Sequence, residues 1–95
     1  MLDVLYDIFI EKAVELEELM KDFDCNQSEI KCIIRELGSY WDSPESKEYI
    51  LRYRKVKNDK EEFRRLASDV SKRMSELSVF FKEIIGAGYN KKRSI

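Results

Sequence analysis

Four acidic residues, Glu15, Asp22, Glu29 and Glu36, recur every seven positions and therefore line one edge of any helix that carries them. Carboxylates can hold a divalent cation, but a metal site needs ligands that converge, and this row spreads them about 10.5 Å apart per step. The row reads as a solvated helix flank. Cys25 and Cys32 stand at the same interval, too far apart within one helix for a disulfide, and the chain has no histidine to complete a metal site with them. Both thiols are expected to be reduced, with an inter-chain disulfide as the alternative. There is no glycine-rich phosphate loop, and Gly38, Gly86 and Gly88 fall where helices are expected to end. No catalytic, cofactor-binding or metal-binding residue is assigned, and the chain is expected not to be an enzyme. Lys91, Lys92 and Arg93 form one short basic cluster that reads as a solvated tail. With 18 basic and 19 acidic residues mixed along the chain, a net charge of −1 leaves no broad footprint for nucleic acid or an anionic membrane. A nucleic-acid binder built from that cluster with Arg52, Arg54 and Lys55 would lose affinity steeply as salt rises.

The elements that carry these residues follow from composition. A chain of 95 residues makes one domain with a thin core, burying about 60–65% of the surface its unfolded form exposes. Charged residues make up 39% and hydrophobic residues 43%, with 3 glycines and 1 proline, which favours long solvated helices over a turn-rich sheet. The first ten residues are apolar enough to suggest a leader, but Asp3 and Asp7 replace its positive region and the run is too short for a membrane span. Synthesis in the cytoplasm is expected, with any export proceeding without a cleaved signal peptide.

The sole proline, Pro44, sits in the stretch Leu37-Gly38-Ser39-Tyr40-Trp41-Asp42-Ser43-Pro44, between two long heptad-patterned segments. Asp42 or Ser43 can cap a following helix, and Pro44 suits its first position, where a missing N–H costs nothing. The pattern predicts helix one over about 3–38, a bend over about 39–43, helix two over about 44–85 and a flexible basic tail from about 89 to 95. In helix two, Ser46, Tyr49, Tyr53, Val56, Lys60, Phe63, Ala67, Val70, Met74, Leu77, Phe81 and Ile84 keep alternating steps of three and four; in helix one Leu2, Leu5, Phe9, Lys12, Leu16, Leu19, Phe23, Asn26, Ile30, Ile33, Leu37 and Tyr40 lie on the matching row. Turning back near Trp41 pairs Leu37 with Tyr49, Ile33 with Tyr53, Phe23 with Phe63 and Leu16 with Val70. It also sets Asn26 opposite Lys60, a polar layer that could fix register. The alternative is a loosening or break around Asp24–Ser28, where Asn26 and Glu29 form a weak capping box. Beside this seam runs a second apolar row, Tyr6, Ala13, Met20, Ile34 and Trp41, and helix two adds Ile50, Leu66, Phe80 and Ile85. Two helices cannot cover all of it. The expected fold is all-α: an antiparallel two-helix hairpin that associates into a four-helix bundle, as a homodimer or heterodimer, through Tyr6, Ala13, Met20, Ile34, Ile50, Leu66 and Phe80.

A bend containing Leu37, Trp41 and Ser43, followed by Tyr49, Phe63 and Leu66 on the second arm, resembles the WxG-type, ESAT-like small helical proteins of type VII secretion. The resemblance spans about Ile8 to Ile85. In that family the bend is Trp, any residue, Gly; here Ser43 takes the glycine's place. Family members often carry, beyond helix two, a Tyr followed four positions later by Asp or Glu as a secretion signal, whereas Tyr89 is followed by Arg93. The resemblance implies a secreted dimer, or a companion that binds the helical N-terminal domain of a larger secreted effector, with Trp41, Asp42, Ser43 and Pro44 as the recognition bend. A generic coiled-coil adaptor or regulator, of antitoxin or phage-scaffold type, would show the same patterning.

Overall fold

Each main restart of a helix is marked by a short polar side chain that accepts a bond from an otherwise free amide. In the computed structural model, which describes the backbone of residues 2–93 and the side chains of residues 6–84, Asp22 accepts from the Cys25 amide at 3.4 Å and opens a helix at Phe23. Ser43 accepts from the Ser46 amide at 3.1 Å and opens one at Pro44. Asp59 accepts from the Glu62 amide at 3.2 Å, and Glu61 and Glu62 favour the positive end of the helix that begins at Lys60. The resulting elements are α1 (Leu2–Met20), α2 (Phe23–Arg35), α3 (Leu37–Tyr40), α4 (Pro44–Val56) and α5 (Lys60–Arg93), with no strand among the described residues.

The arms of the expected hairpin do not run straight. Helix one breaks at Lys21–Asp22, with a further kink at Asn26 (φ −109°, ψ 15°), and helix two breaks at Lys57–Asp59. Past those turns α2 comes back along α1 and α5 comes back along α4. The Phe9 ring lies 5.4 Å from the Trp41 ring, whereas a continuous helix would hold the two about 48 Å apart. Likewise Arg73 reaches Glu45 at 2.6 Å and Arg52 reaches Asp69 at 2.9 Å. α1 packs most extensively on α5, and α2 lies on α4. The Phe23 and Phe63 rings meet at 5.7 Å, as the turn-back pairing required. The hairpin is thus doubled over at its middle, and four helices close around one core within a single chain.

This closure changes the assignment of the second apolar row. Ala13, Ile34 and Leu66, expected at a partner interface, are buried in the chain's own core, and Trp41 is buried with them. Tyr6, Met20 and Ile50 are half-buried, and of the seven expected interface residues only Phe80 is exposed. Phe9, Leu16, Ile30, Ile34, Leu37, Phe63, Leu66, Val70 and Met74 have essentially no accessible surface, and each such side chain favours the fold by about 1.5–3 kcal/mol. Two boundaries also differ. Ser39 and Tyr40 belong to α3, so the bend is confined to residues 41–43, and α5 continues past Gly86 and Gly88 to Arg93 instead of ending near residue 85. The side chain of Ile85 and those of the basic cluster lie outside the described residues. No described helix is long and apolar enough to cross a membrane.

The expected Asn26–Lys60 layer takes another form. Half-buried Asn26 turns its amide onto the Leu19 carbonyl at 3.0 Å, bracing the turn into α2. Exposed Lys60 instead meets Asp24 at 2.9 Å, joined there by Arg64 at 3.2 Å, whose guanidinium lies 5.0 Å from the centre of the Phe23 ring. The hydrogen bond from Lys60 and its charge, helped by Arg64, hold the Asp24 carboxyl below its ordinary value of 3.8. A lowered value means that these ion pairs give their full support above pH about 3.8 and lose it as pH falls from there through the lowered value of the folded state. Asp24→Asn is therefore expected to flatten the loss of melting temperature between about pH 5 and pH 2.5; an unchanged slope would show that the pairs contribute nothing. Ile34→Ala is expected to cost about 2–5 kcal/mol in urea titrations at every protein concentration, because the cavity opens inside one chain. A loss that disappears on dilution would instead place Ile34 between chains.

Candidate functional site

The residues singled out at the bend gather at one end of the molecule with the start of α1 and the later part of α5. Trp41 ends α3, its amide bonded to the Leu37 carbonyl at 3.0 Å, and Ser43 starts α4 two residues on. Ser46, 1% exposed, ties the two together: its hydroxyl bonds the Trp41 carbonyl and accepts from the Ser43 amide at 3.3 Å, while Ser43 accepts from the Ser46 amide. Of the two possible caps, Ser43 is the one used. Asp42 stays exposed, with the Lys47 ammonium 4.0 Å away. Pro44 occupies the first turn as expected. Gly38 brings α3 close to α4, since a Cβ there would sit 3.4 Å from the Ile50 side chain.

Around this knot the aromatic residues form one cluster. Phe9 meets Trp41 edge-on at 5.4 Å and Phe81 edge-on at 5.1 Å, Tyr6 stacks on Phe81 at 4.5 Å, and Trp41 faces Tyr49 at 6.0 Å. Such pairs add about 0.5–1.5 kcal/mol each beyond area burial. The buried Tyr40 hydroxyl donates to the Ile33 carbonyl at 3.0 Å; burial first, then the nearby Glu36 and Glu15 carboxylates, push its ionisation far above the ordinary tyrosine range, so it stays a donor at any working pH. Between these rings opens an apolar recess of about 330 Å³ lined by Tyr6, Phe9, Tyr40, Trp41, Phe81 and, at the rim, Asp42 and Ser43. Beside it on α5, Phe80 (55% exposed) has its ring 6.1 Å from that of the recess wall Phe81, Ile84 (41%) lies one turn on from Phe80, and Ile8 is exposed on α1. Single exposed apolar residues are ordinary, but an apolar row beside an aromatic recess is a surface suited to another helix.

Among the described residues, no group of three or more cysteine or carboxylate side chains converges as a metal site would need. Glu15 pairs with Lys12 at 3.5 Å, Asp22 is a cap, and Cys25 and Cys32 are free thiols. The hydrogen bond and charge of Asp22, with Asp24 behind it, push the Cys25 thiol up, away from the reactive thiolate form. Arg52 is engaged by Asp69. Sequence patterning pointed to the bend, Tyr6 and Phe80; it did not point to Phe81 or Phe9 as walls of a recess, because both sit on the seam and read as core. Ser46→Ala removes the partner of a buried carbonyl and half of the capping box, so a stability loss of about 1–3 kcal/mol is expected in chemical denaturation; a neutral result would mean that water replaces the hydroxyl.

Comparison of the chain with protein-family models, with curated proteins and with solved structures finds no match in any of the three.

Proposed function

We propose that this chain is a non-catalytic helical interaction module, and that its partner-binding element is the aromatic recess at the bend end together with Phe80 and Ile84. In the specific form that the bend residues suggest, it is a companion of type VII secretion that engages the helical N-terminal domain of a larger secreted effector. The observation that carries the reading is the aromatic recess with exposed Phe80 of α5 beside its wall Phe81, at the end where Trp41, Asp42 and Ser43 sit. A partner helix lies along α5, places one large side chain in the recess and meets Asp42 at the rim. Closure of the four-helix core within one chain supports the companion role over the secreted dimer, since Ala13, Ile34 and Leu66 are already covered. The generic adaptor of antitoxin or phage-scaffold type uses the same surface and is favoured by one local feature: Ser43, where the secretion family has glycine, is committed to capping α4.

Trp41 is too deeply packed to test this cleanly, because Trp41→Ala is expected to cost about 3–5 kcal/mol of folding stability. Phe80→Glu leaves the core alone. It is expected to keep the thermal melt within about 2 °C of the parent while lowering partner recovery from the native host by at least about tenfold. If the recovered partner is a secreted effector whose export also falls, the companion role holds; undiminished recovery overturns the site.

A further inference from the structure

Both turns that double the chain over lie inside heptad rows that pass through them without a slip: Leu16, Leu19, Phe23 and Asn26 around Lys21–Asp22, and Tyr53, Val56, Lys60 and Phe63 around Lys57–Asp59. Neither turn contains glycine or proline, and no described residue has positive φ. Lys57 itself keeps helical angles (φ −57°, ψ −25°). Each turn is therefore built from residues that a continuous helix accepts, and each is marked by one aspartate, Asp22 or Asp59, bonded to an amide of the helix that follows. Two helices broken at the same level, with their heptads intact across the breaks, are equipped to run straight.

The contacts divide accordingly. α1 on α5 and α2 on α4 run along the hairpin and survive if both turns straighten together. Contacts of α1 with α2, α3 and the bend, and of α4 with α5, are lost within the chain; they include Phe9 with Trp41, Glu45 with Arg73 and Arg52 with Asp69. A second straightened copy, laid antiparallel, offers the same partners in the same geometry. We propose that this protein exchanges halves with a second copy of itself, so that α1 and α5 of one chain pack on α2 and α4 of the other. The exchanged dimer uses only contacts already present in the closed chain. Its balance against the closed form is set by the two aspartate-marked turns and by protein concentration. The proposal stands apart from the partner proposed above, since the exchange rebuilds the recess from two chains.

Charge reversal tests it. One chain carries Glu45→Arg with Arg52→Asp, and a second carries Asp69→Arg with Arg73→Glu. Closed, each variant sets like charges against each other at both sites; exchanged with the other variant, every pair is again of opposite sign. The expected result is that the two, refolded together from urea, give a 1:1 heterodimer by light scattering that melts above either variant alone. Two monomers that melt as they do separately overturn the proposal. Independently, Asp22→Ala with Asp59→Ala is expected to lower the dimer dissociation constant in sedimentation velocity by at least about tenfold, because each dimer that dissociates forms two closed chains and so four of these caps. An unchanged or raised constant overturns it.

Discussion

The structure depends on one constraint: two amphipathic arms of this length carry more apolar surface than they can cover on each other. The seam residues meet across the hairpin, but Ala13, Ile34, Trp41 and Leu66 lie beside that seam and must find cover elsewhere. Doubling the hairpin brings the two flanks together. Phe9 then packs on Trp41 and Phe81, Arg73 meets Glu45, and the expected bundle of two molecules is completed by one.

The position of the fold line also has a physical cause. Along both rows the middle is the polar stretch, with Asn26 on one arm and Lys60 on the other. Burying that stretch in a continuous seam would cost desolvation, whereas at a turn Asn26 satisfies the Leu19 carbonyl and Lys60 reaches Asp24 at the surface. Helical residues, an aspartate cap and a polar waist together make a turn that needs neither glycine nor proline.

That economy explains what the sequence revealed and what it concealed. The bend was legible because Pro44 and Ser43 give a strong stop-and-start signal, and the all-helical class was legible from composition and heptads. The turn on the second arm was concealed because the heptads continue through it; on the first arm the loosening at Asp24–Ser28 was legible and corresponds to the Asn26 kink, but the break itself falls earlier, at Lys21–Asp22. The pattern Asp59-Lys60-Glu61-Glu62 is an N-terminal signature in plain sight, but an unbroken seam outweighed it. At the bend end, the rim residues were legible as recognition residues. Phe9 and Phe81 were not, because a recess wall and a core position show the same periodicity. Mistaking flank for interface followed directly: periodicity says that a face is covered, never by which chain.

The bend end joins these threads, since the packing that closes the core also leaves its last aromatic pocket open. The distance between exposed Asp7 and Asp42 measures that closure directly. Spin labels on Asp7→Cys and Asp42→Cys, in a chain with Cys25→Ser and Cys32→Ser, are expected to lie within roughly 25 Å of each other in the dilute monomer, because Tyr6 and Asp42 line one recess. A separation of roughly 50 Å, the length of a straight arm, would contradict the doubled-over core.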